Sequence, residues 1–174
     1  MAAYMSTCPY LLEMDSMKPI RILFVCLGNI CRSPLAEGVL RECAARQGLA
    51  SQITVDSAGT GAWHIGDPPD RRSIEAARRH GIDIAGLRGR KVSKADFEAF
   101  DLILGMDGEN VSTLRQIAPA GLAGKIDLFL AYASGWDQDV PDPYYDGPEA
   151  FERLYQMLEA GCSSLLDRLE ERAS

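Results

Sequence analysis

Apolar residues along this chain gather into short runs separated by longer stretches with helical spacing. Four runs have the length and the β-branched and aromatic content of buried strands: Ile22-Leu23-Phe24-Val25, Ile53-Thr54-Val55-Asp56-Ser57, residues 100–106 and residues 126–130. Between them, Leu35, Val39, Leu40 and Cys43 fall on one face of a helix expected over 34–46, which Gly48 closes. Asp67-Pro68-Pro69-Asp70 opens a helix over 71–80 with Gly81 as its stop, and Ser93 caps a short helix that carries Asp96. A further helix over 109–117 ends before Pro119. Residues 131–148, with Pro141, Pro143, Gly147 and Pro148, read as one long loop. The last helix, over 148–171, has an apolar stripe of Phe151, Leu154, Met157, Leu158, Leu165, Leu166 and Leu169; Gly161 in mid-pattern is expected to bend or interrupt it.

Strands alternating with helices predict an α/β fold: a doubly wound, Rossmann-like, four-stranded parallel sheet with helices on both faces. Such sheets bind ligands beyond the carboxyl ends of their strands, where the strand order reverses. The loops after Val25, Ser57, Met106 and Leu130 should therefore rise at one edge. The 174 residues, 47% of them apolar, suffice for one domain with a full core. That domain is placed over 19–174, and residues 1–18, which show no clear period, are read as a flexible extension or a start-site artefact, with Met17 as an alternative start. No apolar run approaches the roughly 18 residues of a membrane span.

Charge and cysteines narrow the field. Lys and Arg number 18 against 25 Asp and Glu, for a net charge of −7. That balance argues against a nucleic-acid partner and makes any anion site a local positive feature on an acidic body. The five cysteines, Cys8, Cys26, Cys31, Cys43 and Cys162, match neither a zinc pattern nor a disulfide framework. Together with the lack of a secretory signal they point to a reducing, cytoplasmic chain. With only His64 and His80 besides, no metal site is expected.

The chemistry centres on Cys26-Leu27-Gly28-Asn29-Ile30-Cys31-Arg32-Ser33-Pro34, between the first strand and the first helix. Ser33 as N-cap and Pro34 at the first helical position mark the helix start. Backbone N–H groups converge at such a terminus, and the helix dipole adds positive potential, so a phosphate-sized dianion fits there. Arg32, separated from Cys26 by five residues, can fork onto two of its oxygens. A cysteine thiolate in that cradle is a nucleophile aimed at phosphorus. The plainer alternative is that Cys26 is a small core residue after a strand. Asp142, between Pro141 and Pro143 and followed by Tyr144-Tyr145, is a candidate general acid on a stiffened loop, or an ordinary Asp-Pro turn. A nucleotide-binding loop is excluded, since no Gly-Lys-Ser/Thr follows.

These two motifs make the chain resemble the low-molecular-weight protein tyrosine phosphatases. Cys26 to Pro34 is similar to that family's signature near the N-terminus, and Asp142-Pro143-Tyr144-Tyr145 to its late general-acid motif. Asp56-Ser57-Ala58-Gly59-Thr60, Trp63, His80-Gly81-Ile82 and Met106-Asp107 match landmarks between, so that the likeness covers roughly residues 20–170. The resemblance implies that Cys26 forms a phosphocysteine, that Arg32 and the N–H groups of Leu27, Gly28, Asn29, Ile30 and Cys31 hold the phosphate, and that Ser33 donates to the thiolate. It implies that Asp142 protonates the leaving phenolate and later deprotonates water. Asn29 would keep the loop tight through left-handed backbone angles, and His80 would support Asn29, although a cation at a helix C-terminus explains His80 equally.

Trp63, Tyr144 and Tyr145, with Leu27 and Ile30, would wall a slot suited to an aromatic phosphomonoester. Arginine phosphatases similar to this family usually carry Thr where Ile30 stands, which leans the reading to phosphotyrosine. Cys31 is either a redox partner of Cys26 or a packing residue. Arsenate reductases of the same fold relay a disulfide through later cysteines, and residues 81–125 hold none. A non-catalytic phosphate-binding scaffold would not need both a nucleophile and an acid. The resemblance further implies phosphotyrosine proteins as substrates, inorganic phosphate as product, no cofactor, and a monomer with at most weak self-association.

Overall fold

The computed structural model describes residues 18–173; the expected extension, apart from Lys18, lies outside them, as does Cys8. The elements are β1 (Ile20–Cys26), α1 (Arg32–Arg46), β2 (Ile53–Gly59), α2 (Arg71–Arg79), α3 (Lys94–Ala99), β3 (Leu102–Gly105), α4 (Gly108–Ile117), a 3-10 turn (Ala123–Lys125), β4 (Ile126–Leu128), α5 (Phe129–Ser134) and α6 (Pro148–Ala173). The four strands form one parallel sheet in the order β2-β1-β3-β4. This is the doubly wound α/β architecture that the alternation of strand and helix implies.

β1 runs through the middle, and its side chains alternate between two cores. Ile22, Phe24 and Cys26 face a cluster with Leu35, Val39, Leu40, Phe129, Leu154, Leu158 and Leu165. Leu23 and Val25 face Phe97, Ile103, Val111, Leu114 and Ile126. Helices α1, α2, α5 and α6 therefore cover one face, and α3 and α4 the other. Because both faces are buried, β1 reads in sequence as a continuous apolar run rather than an alternating one. The register puts Cys26 opposite Gly59 and Val25 opposite Gly105, so three strands end at one edge. The order reverses between β1 and β3, and the Cys26 loop leaves the sheet there.

Three expectations are corrected. The apolar run at 126–130 is not one strand: only Ile126–Leu128 pairs with β3, and Phe129 turns into α5, its ring edge-on to Phe24 at 5.1 Å. The long loop is accordingly shorter, and α5 closes on Gly135 at φ 78. Gly161 does not interrupt α6, which is continuous over Pro148–Ala173. A Cβ there would lie 2.8 Å from Phe129 Cζ and 2.9 Å from Leu130 Cδ2, so the glycine lets α5 pack against α6. Lastly, α1 begins at Arg32 with Cys31 as N-cap, not at Pro34 with Ser33 as N-cap. Ser33 makes no cap because its hydroxyl is engaged inside the loop that precedes the helix.

Candidate active site

The loop from Cys26 to Arg32 is anchored before it turns. The carbonyls of Cys26 and Leu27 accept the N–H groups of Thr60 and Gly61, each at 2.9 Å, which ties the loop to the end of β2. Gly59 permits this approach: a Cβ there would stand 2.8 Å from Leu27 O and 3.1 Å from Asn29 N. Asn29 is the turning point, at φ 55. It is the one non-glycine residue with positive φ among those described, and Asn carries that conformation at low cost.

Asn29 is also the hub of a buried hydrogen-bond network. Its Nδ2 donates to Ser33 Oγ at 2.8 Å and to Ser57 Oγ at 3.0 Å, and its Oδ1 accepts Arg90 N–H at 2.9 Å. Its backbone N–H points at Cys26 Sγ, 3.3 Å away, and Ser33 Oγ lies 3.1 Å from the same sulfur. Ser57 Oγ donates to Glu37 Oε2 at 2.6 Å. An ionised carboxylate only accepts, so Glu37 fixes the Ser57 proton and leaves the Ser57 lone pairs to Asn29. Burial pushes the Glu37 carboxyl above its ordinary value of 4.5, against the Ser57 hydrogen bond and the Arg41 charge, which lower it.

His80 takes no part in this network. Its Nε2 lies 2.7 Å from Glu152 Oε1, and its ring stacks on Tyr155 with centroids 3.6 Å apart. It is the C-cap residue of α2 and ties that helix to α6. The expected support of Asn29 is supplied instead by Ser33, Ser57 and Arg90.

Arg32 is buried, its side chain 3% exposed. Nη1 donates to Asp107 Oδ2 at 2.6 Å and to Val140 O at 3.1 Å; Nη2 reaches Asp142 Oδ2 at 3.3 Å. Burial alone would lower its pKa, but the Cys26 sulfur, Asp107 and Asp142 outweigh it and hold the guanidinium charged. Asp107 stands at the end of β3, where it also caps α4 through Asn110 N–H at 2.8 Å. Asp142 is 43% exposed, and its Oδ1 accepts Tyr144 N–H at 3.1 Å.

Cys26, Leu27, Gly28, Ile30, Cys31, Arg32, Trp63, Asp142, Tyr144 and Tyr145 thus line one pocket, with His64, of about 260 Å³. Cys26 is 2% exposed at its floor; Trp63 at 72% and Tyr145 at 95% stand at its mouth. Cys31 lies beside Cys26, and its thiol is pushed up by burial and then by the negative charges of Asp70, Cys26 and Asp142. Cys31 is thus held as the neutral thiol. The pocket joins a deep sulfur, a fixed guanidinium and an accessible carboxylate, a set able to bind a phosphate monoester and transfer its phosphoryl group.

The family model for low molecular weight phosphotyrosine protein phosphatase matches residues 21–174. The chain belongs to this family. It is 46% identical over 153 residues to the low molecular weight protein-tyrosine-phosphatase YfkJ of Bacillus subtilis, covering 87% of this chain and 97% of that protein. The YfkJ crystal structure superposes with a TM-score of 0.84, covering 91% of this chain and 99% of that one. The low molecular weight phosphotyrosine protein phosphatase of Schizosaccharomyces pombe is 46% identical over 143 residues, 81% of this chain and 91% of that protein. The Bacillus subtilis arginine phosphatase YwlE, as a mutant with a phosphorylated active-site serine, is more distant: 26% identity and a TM-score of 0.81 over 87% of this chain and 96% of that one.

Sequence reasoning gathered the Cys26 loop, Asp142 and the aromatic residues that line the pocket. It missed Asp107 as the partner of Arg32, Ser57 and Glu37 as the far side of the Asn29 network, and Arg90 as a backbone donor to it. Asp107 carried a usable signal, an Asp at the end of a strand at the same sheet edge as Cys26. Glu37 carried none, because it falls within the pattern of an ordinary helix.

Proposed function

We propose that the protein hydrolyses phosphotyrosine in proteins, and small aryl phosphates, through a phosphocysteine intermediate. The observation that supports this most directly is the convergence of Cys26, Arg32 and Asp142 on one pocket of about 260 Å³. The phosphate of the substrate takes the loop N–H groups and Arg32 as its donors. Cys26 Sγ attacks phosphorus from the floor, and Asp142 at the rim gives a proton to the departing phenolate oxygen. Asp142 then takes a proton from the water that attacks the S–P bond; inorganic phosphate leaves and the thiolate is restored. Developing negative charge on the transferred oxygens is met by donors already in place. No metal or cofactor enters these steps.

The pocket walls favour an aromatic ester. Leu27, Ile30, Trp63, Tyr144 and Tyr145 offer flat apolar surface above the sulfur, while a phosphoserine is too short to lower its phosphorus to it. Ile30 supplies no polar group to pair with a guanidinium, which favours phosphotyrosine over phosphoarginine. We propose in addition that peroxide oxidises the Cys26 thiolate to a sulfenate with release of water. Cys31 then attacks that sulfur, hydroxide leaves, and the disulfide protects Cys26 until a thiol reduces it. The free, buried state of Cys26, Cys31, Cys43 and Cys162 suits a reducing, cytoplasmic setting, and the working unit is taken to be the monomer.

The test is hydrolysis of p-nitrophenyl phosphate by the wild type, Cys26→Ser and Asp142→Ala, with EDTA present. The expected result is turnover by the wild type, none by Cys26→Ser, and a loss of about 10²–10⁴-fold in Asp142→Ala. A wild type that binds phosphate under reducing conditions but turns nothing over would make the site an anion-binding scaffold. Phosphotyrosine and phosphoarginine peptides then decide the substrate class.

A further inference from the structure

Helix α2 belongs to no catalytic motif, yet its first turn touches both loops that carry the chemistry. On one side it holds the nucleophile loop. Asp70 N–H donates to Ile30 O at 2.8 Å, and the buried Ser73 Oγ donates to Cys31 O at 3.1 Å. On the other it holds the loop of Asp142. Arg72 Nη2 donates to Tyr144 O at 2.9 Å, and Arg72 Nη1 to Asp146 O at 2.8 Å. Tyr144 is the residue whose N–H holds Asp142 Oδ1 at 3.1 Å. One residue thus takes the carboxylate by its N–H and the guanidinium by its carbonyl.

Arg72 is itself fixed. Its Nε and Nη2 pair with the two oxygens of Asp70 at 3.0 and 2.9 Å, and Asp70 also accepts Arg72 N–H at 2.8 Å as the N-cap of α2. The guanidinium lies 4.4 Å over the ring of Phe151, at the start of α6. A planar fork that bonds a carboxylate on one edge and two carbonyls on the other leaves little freedom to the segment it holds; a lysine could not reproduce it.

We propose that Arg72, braced by Asp70, is a positioning residue that sets Asp142 at its height and angle over Cys26. This rests on the reading of Asp142 as general acid. Arg72 touches neither the substrate nor the reacting atoms. It fixes the spacing between two loops whose other hydrogen bonds to each other near the site, among the described residues, run through Arg32 to Asp142 Oδ2 at 3.3 Å and to Val140 O at 3.1 Å. Loss of the fork would let the segment from Asp142 to Asp146 drift while leaving the nucleophile loop in place, because Asp70 N–H and Ser73 hold that loop without Arg72.

The two effects separate in kinetics. With its acid in place, the enzyme expels a poor phenolate nearly as readily as a good one, since the oxygen is protonated as it leaves. With the acid displaced, poor leaving groups suffer most. The experiment compares kcat/KM for a series of aryl phosphates whose phenols range from strongly to weakly acidic, in the wild type, Arg72→Gln and Arg72→Lys. It also measures alkylation of Cys26 by iodoacetate, its protection by inorganic phosphate, and thermal unfolding. In both variants kcat/KM for phenyl phosphate should fall by about 10-fold or more, and that for the most acidic phenols by about 2-fold or less, within the range a general acid supplies. Alkylation and phosphate protection should match the wild type. Should Arg72→Gln fail to fold, Arg72→Lys, which keeps the charge and the packing stem, gives the same readout.

A leaving-group dependence as shallow as that of the wild type would overturn the proposal, whether or not the overall rate falls. So would slowed alkylation, which would assign the damage to the nucleophile loop. Failure of the wild type to hydrolyse any aryl phosphate would instead remove the phosphatase reading itself.

Discussion

Arg32 Nη1 and Asp107 Oδ2 are 2.6 Å apart, across 75 residues of chain and between the two strands where the sheet order reverses. The guanidinium is almost wholly buried and Asp107 is 20% exposed. A guanidinium of that burial keeps its charge but is costly to hold without a partner, and truncating one partner of such a pair costs about 3–5 kcal/mol in comparable cases. The pair is therefore part of what lets a cation stand under the pocket.

Asp107→Asn separates its charge from its other duty, since Asn caps α4 as well as Asp does. The variant should unfold at lower urea concentration than the wild type. Inorganic phosphate, which binds only the folded chain and supplies Arg32 with a new partner, should raise its melting temperature more than it raises that of the wild type. Turnover of p-nitrophenyl phosphate should fall by about 10–100-fold, because the freed guanidinium can turn away from its working geometry. Unchanged turnover would show that Asp107 does not orient Arg32.

Gly59→Ala tests the anchoring of the loop. The added Cβ would meet Leu27 O and Asn29 N, both backbone, so the loop itself must move. Gly86→Ala is the control, with nothing within 4 Å of the added atom. Gly59→Ala should lose about 10–100-fold in kcat/KM and roughly 1–3 kcal/mol of stability, while Gly86→Ala keeps both. Equal activity in the two variants would mean that the loop does not depend on its seat against β2.

The parts of the site that sequence reached are those written into consecutive residues. A strand, a Cys, an Asn at the tight turn and an Arg at fixed spacing describe a loop whose geometry is local, and the prolines around Asp142 mark a second. What it did not reach depends on partners far along the chain. Glu37 and Ser57 are 20 residues apart and Arg32 and Asp107 are 75 apart; neither pair leaves a pattern in its own segment. The same holds for the fold. The buried β1 declared itself as an unbroken apolar run, whereas α5 hid inside another, because Phe129 and Leu130 are apolar for packing on α6 rather than for pairing with β3. Ser33 was misread for a related reason: the hydroxyl that would cap a helix is used by Asn29 and Cys26.

Cys31 is held as a thiol by burial and by the charges of Asp70, Cys26 and Asp142, so in the proposed redox step it would act as a slow resolving group rather than a rival nucleophile. Peroxide should inactivate the wild type, and dithiothreitol should restore most of its activity, with a Cys26–Cys31 linkage visible by mass spectrometry before reduction. Cys31→Ser should inactivate at a similar rate but recover far less, as the unprotected sulfenate oxidises further. Full recovery of Cys31→Ser would leave Cys31 as a packing residue.

Glu37 gives a stability effect whose sign follows from its environment. Burial holds its carboxyl above the ordinary 4.5, with the Ser57 hydrogen bond and Arg41 opposing. The folded chain therefore binds this proton more tightly than the unfolded chain does. The corresponding stability is fully present below pH 4.5 and is lost as pH rises through the raised folded value. Glu37→Gln has no proton to lose, so its urea midpoint relative to the wild type should rise as the pH is raised from below 4.5 towards neutrality. Parallel midpoints across that range would mean that Glu37 titrates alike in both states. Activity separates the two amide-sized choices. Gln can still accept the Ser57 proton and should retain turnover within about 3-fold, whereas Glu37→Leu leaves Ser57 free to turn from Asn29. That loss of one buried hydrogen bond, worth about 1 kcal/mol or somewhat more, should slow turnover by roughly 5–10-fold.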